Sequence, residues 1–356
     1  MAANRYQKED FVLMHWWAKR IKSKRVNMSS VEYLGRSKPV NNCSPLVSVC
    51  VPTFQHADFI AECLDSILSQ DTSFPIEIIV GEDQSSDGTR EICIMYADKF
   101  PDKIRLFLND REDVTFIDGR PSGTANLLTL LSESRGKFVA LCEGDDYWTD
   151  KAKLELQVAI LQKNLECSLV FHNSLIVYSD GSNKDFSGGL IEGYYDIETV
   201  ITKPWFVPTQ SILFRKELLD LGEWILHIYN CDYAIQLVLA TKFPFYYVDK
   251  TMSVYRIHHG GFSSAPSLYY HQIKLVETLS IFNCISEFKF DRLVKKRLDD
   301  IRSGMLINAS DEILRIKILG MRYWEKALTF RYYAYVANHI LEKLRDKWVA
   351  LRGRIS

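Results

Sequence analysis

The chain has 356 residues, of which 47% are hydrophobic, and a formal net charge of −1. This composition supplies a sizeable core and excludes a largely disordered chain, and the charge gives no reason to expect nucleic acid as the main partner. The eight cysteines form no CxxC pair, so we expect reduced, mostly buried thiols in a cytoplasmic protein. No apolar run reaches the roughly 20 residues that cross a bilayer.

The first part of the chain alternates between short apolar runs and helical spacing. Residues 1–44 are polar and basic and are predicted to form an N-terminal arm. Strands are then predicted at 46–51, 76–81, 104–108 and 137–141, helices at 57–70, 88–99 and 123–135, and a polar loop at 109–122. This alternation predicts an α/β fold with a mainly parallel, twisted sheet flanked by helices.

The second half of the chain is mixed. A strand at 167–178, a loop leading into a strand at 205–215, a helix after residues 231–233 and a segment at 243–264 are predicted to complete the core. Helical spacing dominates from about residue 267. We therefore expect one domain over residues 45–265, followed by a helical C-terminal region over 266–356.

Acidic residues follow two strands of the predicted sheet: Glu82 and Asp83 after the second strand, and Glu143, Asp145 and Asp146 after the fourth. Ligands of such sheets bind outside the carboxyl ends of the strands, so the two groups can share one cleft. Carboxylates packed this closely repel one another. A hard divalent cation, Mg²⁺ or Mn²⁺, removes the repulsion and leaves positions for phosphate.

Each acidic string, taken alone, also fits an ordinary turn. In GEDQSSDGT at 81–89, Gly88 suits a tight turn and Asp87 can cap the following helix. In EGDD at 143–146, a solvated acidic turn with Asp150 as a helix cap explains the residues equally well. Neither string identifies a function by itself.

Three motifs together are far more specific. PTFQ at 52–55, GEDQSSDGT at 81–89 and CEGDDYW at 142–148 resemble the motifs PTYN, VDDGSTDGT and LDSDD-aromatic of the inverting glycosyltransferases of family 2, which have a GT-A fold. The resemblance covers roughly residues 44–265. The chain departs from the pattern with glutamate at positions 82 and 143, Gln84 for glycine and Gln55 for asparagine. These departures leave the choice of nucleotide open.

The resemblance implies an enzyme that moves a sugar from a nucleotide-diphospho-sugar, with a UDP-sugar expected, to an acceptor hydroxyl in surface polysaccharide or glycan biosynthesis. It implies Mn²⁺ or Mg²⁺ as cofactor, with Asp145 as the direct ligand and His258 as a second one. The residues expected against the nucleotide sugar are Pro52, Thr53, Phe54, Glu82, Asp83, Glu143, Asp146 and Arg256. Arg256 can offset phosphate charge, and a structural ion pair explains it equally well.

The resemblance also indicates a general base. Inverting transfer needs a carboxylate that removes the proton of the acceptor hydroxyl as it attacks. The family places this acid at the start of a helix, and NCDYAIQ at 230–236 offers Asp232, with Cys231 where glutamate is usual. An acid favoured by the helix dipole is the simpler interpretation of Asp232, and Asp249 and Glu223 are rival bases.

Two further segments allow two interpretations each. In KPWFVPTQSILFR at 203–215, Trp205 and Gln210 are predicted to line an acceptor site, although core aromatics around a proline-rich turn fit equally. Residues 321–356 contain a basic amphipathic helix with Trp348, which fits a peripheral membrane contact at the cytoplasmic face. The same helix fits packing on the domain or on a partner subunit, so a homo-oligomer stays open.

Two other functions agree less well with the sequence. A sugar-phosphate nucleotidyltransferase needs a glycine-rich, basic phosphate loop near the first strand, and VPTFQHADF at 51–59 contains no glycine, lysine or arginine. A non-catalytic scaffold that binds sugar nucleotides has no need of both Asp145 and Asp232. The expected partners are therefore a nucleotide-diphospho-sugar donor and a glycan or lipid-linked acceptor.

Overall fold

A computed structural model describes residues 30–35, 44–110, 115–117, 120–203, 205–258 and 268–308. The chain divides into two compact units, one spanning residues 26–268 and a second whose described part begins at residue 269. The basic segment at 321–356 and most of the predicted N-terminal arm lie outside the described residues, so both stay predictions.

The described elements follow one another along the chain. The strands are β1 Val31–Tyr33, β2 Val47–Thr53, β3 Ile76–Glu82, β4 Ile104–Leu108, β5 Thr115–Ile117, β6 Arg120–Ser122, β7 Phe138–Leu141, β8 Tyr147–Trp148, β9 Leu169–Tyr178, β10 Asn183–Asp185, β11 Gly193–Tyr195, β12 Leu213–Arg215 and β13 Phe245–Ile257. The α-helices are α1 Ile60–Leu68, α2 Thr89–Lys99, α3 Thr124–Glu133, α4 Lys153–Lys163, α5 Ile197–Thr202, α6 Cys231–Ala240, α7 Leu268–Ile285 and α8 Asp291–Asn308. Short 3₁₀ helices span Thr209–Ser211, Lys216–Leu218 and Glu223–His227.

One mixed sheet of 11 strands organises the larger unit, in the order β1-β4-β3-β2-β7-β12-β9-β13-β11, with β10 on β9 and β8 on β13. Strands β4, β3, β2 and β7 run parallel to one another, as predicted. Beyond β7 the sheet is mixed, because β12 runs antiparallel between β7 and β9. The α/β fold with flanking helices and C-terminal helices is confirmed.

The core forms where the sequence predicts it. Strand β2, with the sequence VSVCVPT, is buried along nearly its whole length, since it lies in the middle of the parallel strands. Helix α1 buries the predicted apolar positions Ile60, Cys63, Leu64 and Ile67. The seven described cysteines are free and buried, which agrees with the expectation of reduced thiols.

Several short elements were not predicted. Strand β1 adds to the edge of the sheet antiparallel to β4, in a segment assigned to the arm. The segment predicted as a polar loop at 109–122 contains the β5–β6 hairpin. Strands of two or three residues are too short to show an alternating pattern, so they cannot be identified from the sequence.

The described part of the second unit consists of α7 and α8. The Phe282 and Phe290 rings stack with their centroids 5.8 Å apart, and the Asn283 side-chain amide donates to the Asp291 carboxylate at 3.0 Å. These contacts hold the start of α8 against the end of α7. Of the helices in the described ranges, none combines the length and apolar character needed to cross a bilayer.

Candidate active site

The acidic loop after β7 is held against the end of β13 by the two-residue strand β8. In this antiparallel pairing, Tyr147 lies opposite Val254 and Trp148 opposite Ser253. Because β13 continues to Ile257, Arg256 and His258 arrive beside the carboxylates that precede β8. The pairing thereby joins the fourth predicted strand end to the last segment of the domain.

Two histidines converge on Asp145. The His258 Nε2 atom lies 3.1 Å from Asp145 Oδ2, and the His56 Nε2 atom lies 3.7 Å from the same oxygen. Burial raises the pKa of Asp145, but the hydrogen bond from His258 and the nearness of both imidazoles outweigh it and hold the pKa below its usual value. The Asp145 Oδ1 atom is buried and has no hydrogen-bond partner among the described residues.

Sequence reasoning missed His56, although it follows the carboxyl end of β2 at the same edge of the sheet. The His56 Nδ1 atom lies 3.2 Å from Thr53 Oγ1, and the His56 backbone N–H donates to Thr89 Oγ1 at 2.8 Å. A Cβ atom at Gly144 would lie 2.4 Å from Thr53 Oγ1 and 2.9 Å from His56 Nδ1, so this position needs glycine. Burial lowers the pKa of His56 despite the nearby Asp145, which favours a neutral ring.

Asp146 is 0% exposed and acts partly as an anchor for β13. Its Oδ1 atom accepts the backbone N–H of Arg256 at 2.9 Å, while its Oδ2 atom has no partner within the described part of the chain. Burial and the charges of Asp145 and Glu143 raise the pKa of Asp146 well above its usual value. Its contact with the nucleotide sugar stays a prediction.

Glu143 connects the cluster electrostatically with Asp232. Burial, then the charges of Asp145 and Asp232, raise the pKa of Glu143 to about 8. Asp232 follows Glu143 by almost 90 positions in the sequence, yet it lies close enough to disfavour its ionised form. The charge of Asp232, at the start of α6, therefore acts on a carboxylate of the loop that follows β7.

The Arg256 guanidinium is held by residues of its own chain. It lies between the Tyr147 ring, 4.3 Å from the centroid, and the Phe59 ring at 5.2 Å. It donates to the Asp145 carbonyl at 2.6 Å and forms an ion pair with Glu62. The structural ion pair expected as one alternative is therefore present, and contact with phosphate stays a prediction.

The ends of β2 and β3 are joined to the acidic loop through the backbone. The Gly144 N–H donates to the Pro52 carbonyl at 3.0 Å, and the Asp83 N–H donates to the Thr53 carbonyl at 3.1 Å. The Asp83 carboxylate accepts a hydrogen bond from Asn109 at 3.0 Å. These bonds place the predicted nucleotide-binding residues at one edge of the sheet; Phe54 is half-buried there.

Glu82 fixes the turn after β3. Its carboxylate is 0% exposed, accepts the backbone N–H of Ser85 at 2.6 Å and pairs with Arg90. The N-cap residue of α2 is Gly88 and carries no side-chain cap bond, so Asp87 does not occupy the cap position; its carboxylate instead accepts the N–H of Thr89, the first residue of the helix, at 3.1 Å. Glu82 is thus engaged within its own turn, and its assignment to the nucleotide sugar stays untested.

Two departures from the family motifs fall on unusual backbone. Gln55 has φ +56° and Gln84 has φ +54°, in the left-handed region. Asparagine and glycine, the usual residues at these positions, adopt that region more readily than glutamine. These two departures therefore affect the conformation of the backbone. The Gln55 side-chain amide also donates a hydrogen bond to Ser86 Oγ at 3.0 Å.

Asp232 lies in the first turn of α6, where the sequence placed the base. Thr209, which sequence reasoning missed, donates to Asp232 Oδ2 at 3.0 Å. Burial raises the pKa of Asp232, although bonds from the Tyr233 N–H and from Thr209 oppose this. The rival Asp249 is exposed on β13 and accepts a hydrogen bond from Tyr247 at 3.3 Å, while the side chain of Glu223 lies outside the described residues.

The two predicted acceptor residues differ in exposure. Trp205 is 44% exposed, has φ +65° and stacks on Tyr233, the residue after Asp232, with a centroid distance of 6.2 Å. Gln210 is fully buried, and its carbonyl accepts the Trp148 indole N–H at 2.9 Å. Both polar atoms of the Gln210 side chain lack partners among the described residues.

The fold is that of one class of protein, the GT-A-type glycosyltransferases. A solved structure of S. aureus TarS, residues 1–349 in complex with UDP-GlcNAc, matches with a TM-score of 0.56 and 18% sequence identity. The match covers 77% of this chain and 79% of the TarS chain. At this identity the likeness shows the fold.

The chain belongs to glycosyl transferase family 2, whose sequence profile matches residues 48–236. It is 26% identical over 329 residues to the GalNAc(5)-diNAcBac-PP-undecaprenol beta-1,3-glucosyltransferase of Campylobacter jejuni, over 86% of this chain and 99% of that protein. It is also 30% identical to the uncharacterized protein Mb1547 of Mycobacterium bovis over 62% of this chain. The matched region spans 61% of the length of that mycobacterial relative.

Proposed function

We propose that this protein is a metal-dependent, inverting glycosyltransferase that moves a sugar from a nucleotide-diphospho-sugar, a UDP-sugar, to a hydroxyl of a glycan or lipid-linked acceptor. The observation that carries the proposal is the cluster of Glu143, Asp145 and Asp146, whose ligand atoms lie within 4.8 Å of one another. Burial, then the charges of Asp145 and Asp232, raise the pKa of Glu143, which supports a base and a metal-bound diphosphate in one site. The name of the Campylobacter relative, which contains an undecaprenol-linked glycan, supports a lipid-linked acceptor.

The residues present fit a divalent cation. Two buried carboxylate oxygens, Asp145 Oδ1 and Asp146 Oδ2, have no partner in the described ranges, and burial followed by the charges of neighbouring carboxylates raises the pKa of Glu143 and Asp146. Asp145 and His258 would hold Mn²⁺ or Mg²⁺. When bound, the ion would offset the negative charge that develops on the departing diphosphate.

Asp232 would remove the proton of the acceptor hydroxyl as that oxygen attacks the anomeric carbon on the face opposite the diphosphate. Attack from the opposite face inverts the configuration of that carbon. The raised pKa of Asp232 brings its basicity closer to neutral pH, which favours general-base catalysis. Thr209, which donates to Oδ2, would orient the carboxylate. The exposed face of Trp205 offers a stacking surface for the acceptor sugar.

The substitution Asp232→Asn tests the proposed base. Asparagine keeps the size and hydrogen-bonding capacity of the side chain but takes no proton at neutral pH. General-base catalysis contributes roughly 10²–10⁴-fold in rate, so we expect transfer at saturating donor to fall by about that factor. Donor affinity, measured by calorimetry with Mn²⁺, should change little.

Asp249→Asn is the matched control, because Asp249 is an exposed carboxylate on β13. This variant should transfer sugar at the wild-type rate. Near-normal turnover in Asp232→Asn would remove Asp232 from the mechanism, and loss of activity in Asp249→Asn with normal turnover in Asp232→Asn would assign the base to Asp249. A wild-type protein that binds UDP-sugars and neither transfers nor hydrolyses them would be a scaffold instead.

A further inference from the structure

We infer that His56 is a ligand of the metal in this site, together with Asp145 and His258, and that this set binds Mn²⁺ and Co²⁺ in preference to Mg²⁺. The inference rests on the metal-dependent function proposed above. It adds a residue that the motifs do not mark, and a metal preference that the reaction itself does not require.

The spacing of the three ligand atoms fits one ion. Two ligands about 2.1 Å from a metal, at angles of 90–109°, lie about 3.0–3.4 Å from each other. The distances to Asp145 Oδ2 are 3.1 Å from His258 Nε2 and 3.7 Å from His56 Nε2. All three ligand atoms lie within 4.8 Å of one another. Small side-chain rotations therefore suffice to bring them around a common ion.

The surroundings hold both imidazoles with Nε2 toward Asp145. The other ring nitrogen of His56, Nδ1, contacts Thr53 Oγ1 at 3.2 Å. Such a bond fixes the tautomer and orientation of a metal-binding histidine. The His258 ring packs on the Phe59 ring with a centroid distance of 4.6 Å.

An ion pair alone explains this arrangement poorly. Both imidazoles converge on one oxygen of Asp145, while the other oxygen, Oδ1, is buried without a partner among the residues that the structure describes. Two histidines placed only to neutralise the carboxylate would be expected to divide between its oxygens. Convergence of three ligand atoms on one point, with an unsatisfied oxygen beside it, is what a cation site requires.

The chemistry of the ligands gives the metal preference. Mg²⁺ favours sites made of oxygen ligands, and imidazole favours first-row transition metals. For a given site of nitrogen and oxygen ligands, affinity rises from Mn²⁺ to Co²⁺. With two imidazoles and one carboxylate, we expect affinity to increase from Mg²⁺ through Mn²⁺ to Co²⁺.

The test measures metal binding directly, in the full chain, with and without UDP. Visible absorption follows Co²⁺ titrations, calorimetry follows Mg²⁺, and pulsed electron paramagnetic resonance counts the imidazole nitrogens coupled to bound Mn²⁺. Wild-type protein should show two coupled imidazoles. The variant His56→Gln should show one coupled imidazole and bind Mn²⁺ and Co²⁺ at least about tenfold more weakly than wild type. Its affinity for Mg²⁺ should fall by a smaller factor.

His271→Gln is the control, because His271 belongs to neither of the candidate metal-binding groups found among the described residues. It should leave the metal affinities and the nitrogen count unchanged. One coupled imidazole in the wild-type protein, or Mg²⁺ binding as tight as Mn²⁺ binding, would overturn the inference whether or not the His56 variant folds. In that case the proposed metal-dependent sugar transfer would still stand. A wild-type protein that binds none of Mg²⁺, Mn²⁺ and Co²⁺ would contradict both the proposed function and the role of His56.

Discussion

Lys153, in the first turn of α4, is a fully buried lysine without a carboxylate partner within the described ranges. Its ammonium nitrogen donates to Gln157 Oε1 at 2.8 Å and lies 3.9 Å from the centroid of the Trp148 ring. Burial lowers the pKa of Lys153 to about 7, and Cys142 opposes the shift. The low pKa of His172 has burial as its largest cause and the nearby charge of Lys153 as the second. This lysine is therefore close to half neutral at physiological pH.

The stability of the protein should depend on pH through Lys153. The unfolded lysine keeps a pKa near 10.4, so between about pH 7 and 10 the unfolded chain binds more protons than the folded one. The cost of burying the charge is fully present below pH 7 and disappears as the pH rises. The variant Lys153→Met should therefore be more stable than wild type at pH 6, by up to a few kcal/mol, and gain less at pH 10.

Urea unfolding of both proteins at pH 6, 8 and 10 measures this difference. Taking the difference between them cancels the titration of groups that Lys153 does not influence, whereas His172 and Cys142 contribute to the difference because Lys153 affects their pKa values. The control Lys163→Met changes an exposed lysine in the last turn of the same helix. A stability difference for Lys153→Met that is equal at all three pH values would show that Lys153 is charged in the folded state.

At the scale of secondary-structure elements, the turn from β3 to α2 stores backbone strain at Gln84. This side chain is exposed and its backbone has φ +54°. A left-handed conformation costs a residue other than glycine roughly 1–2 kcal/mol. The variant Gln84→Gly should raise the free energy of unfolding by a few tenths to about 1 kcal/mol, because the greater entropy of unfolded glycine cancels part of the gain.

The variant Gln162→Gly is the control and should lower the free energy of unfolding. Gln162 is also exposed but lies within α4, where glycine costs about 1 kcal/mol. Urea unfolding should therefore show changes of opposite sign for the two substitutions. If both variants lose stability, the strain assigned to residue 84 is absent.

The elements that the sequence predicts well are those with a local signal. Strands β2, β3, β4 and β7 are apolar runs long enough to identify, and α1 places its apolar residues at helical spacing. The alternation of these elements fixes the parallel sheet. The position of the acidic groups after β3 and β7 then follows from the rule for strand ends.

Contacts between segments that are far apart in the sequence leave no local pattern from which they could be predicted. Strand β8 has two residues, and its pairing with β13 brings His258 to Asp145. Thr209 reaches Asp232 across 23 positions of sequence. His56 is three residues beyond the end of β2, so the rule for strand ends would have marked it as a candidate, although histidine near a turn is common.

At the scale of the whole molecule, a ligand bound by the acidic cluster should stabilise the larger unit, residues 26–268, which contains that cluster. Ligand at 100 times its Kd adds about 2.7 kcal/mol by mass action. For a domain of this size each kcal/mol raises the Tm by about 2–4 °C, so Mn²⁺ with UDP should raise it by about 5–10 °C. UDP without a divalent ion should give a smaller rise.

Asp145→Asn should lose the Mn²⁺-dependent part of this rise, since it removes the proposed central ligand. Asp249→Asn, an exposed acid away from the cluster, should keep it. Differential scanning fluorimetry with and without chelator compares the three proteins. Equal shifts in wild type and Asp145→Asn would show that the metal binds elsewhere or that UDP alone accounts for the stabilisation.

The pairing of β8 with β13 has a consequence for synthesis on the ribosome. Strands β2, β3, β4 and β7 and their helices emerge first, and neighbours along the chain supply most of their contacts. The carboxylates after β7 must then wait until Arg256 and His258 have been translated before they gain the Asp146 anchor and the second imidazole. A nascent chain that ends before β13 therefore carries the acidic loop without its partners, and competence to bind the donor arises late in translation.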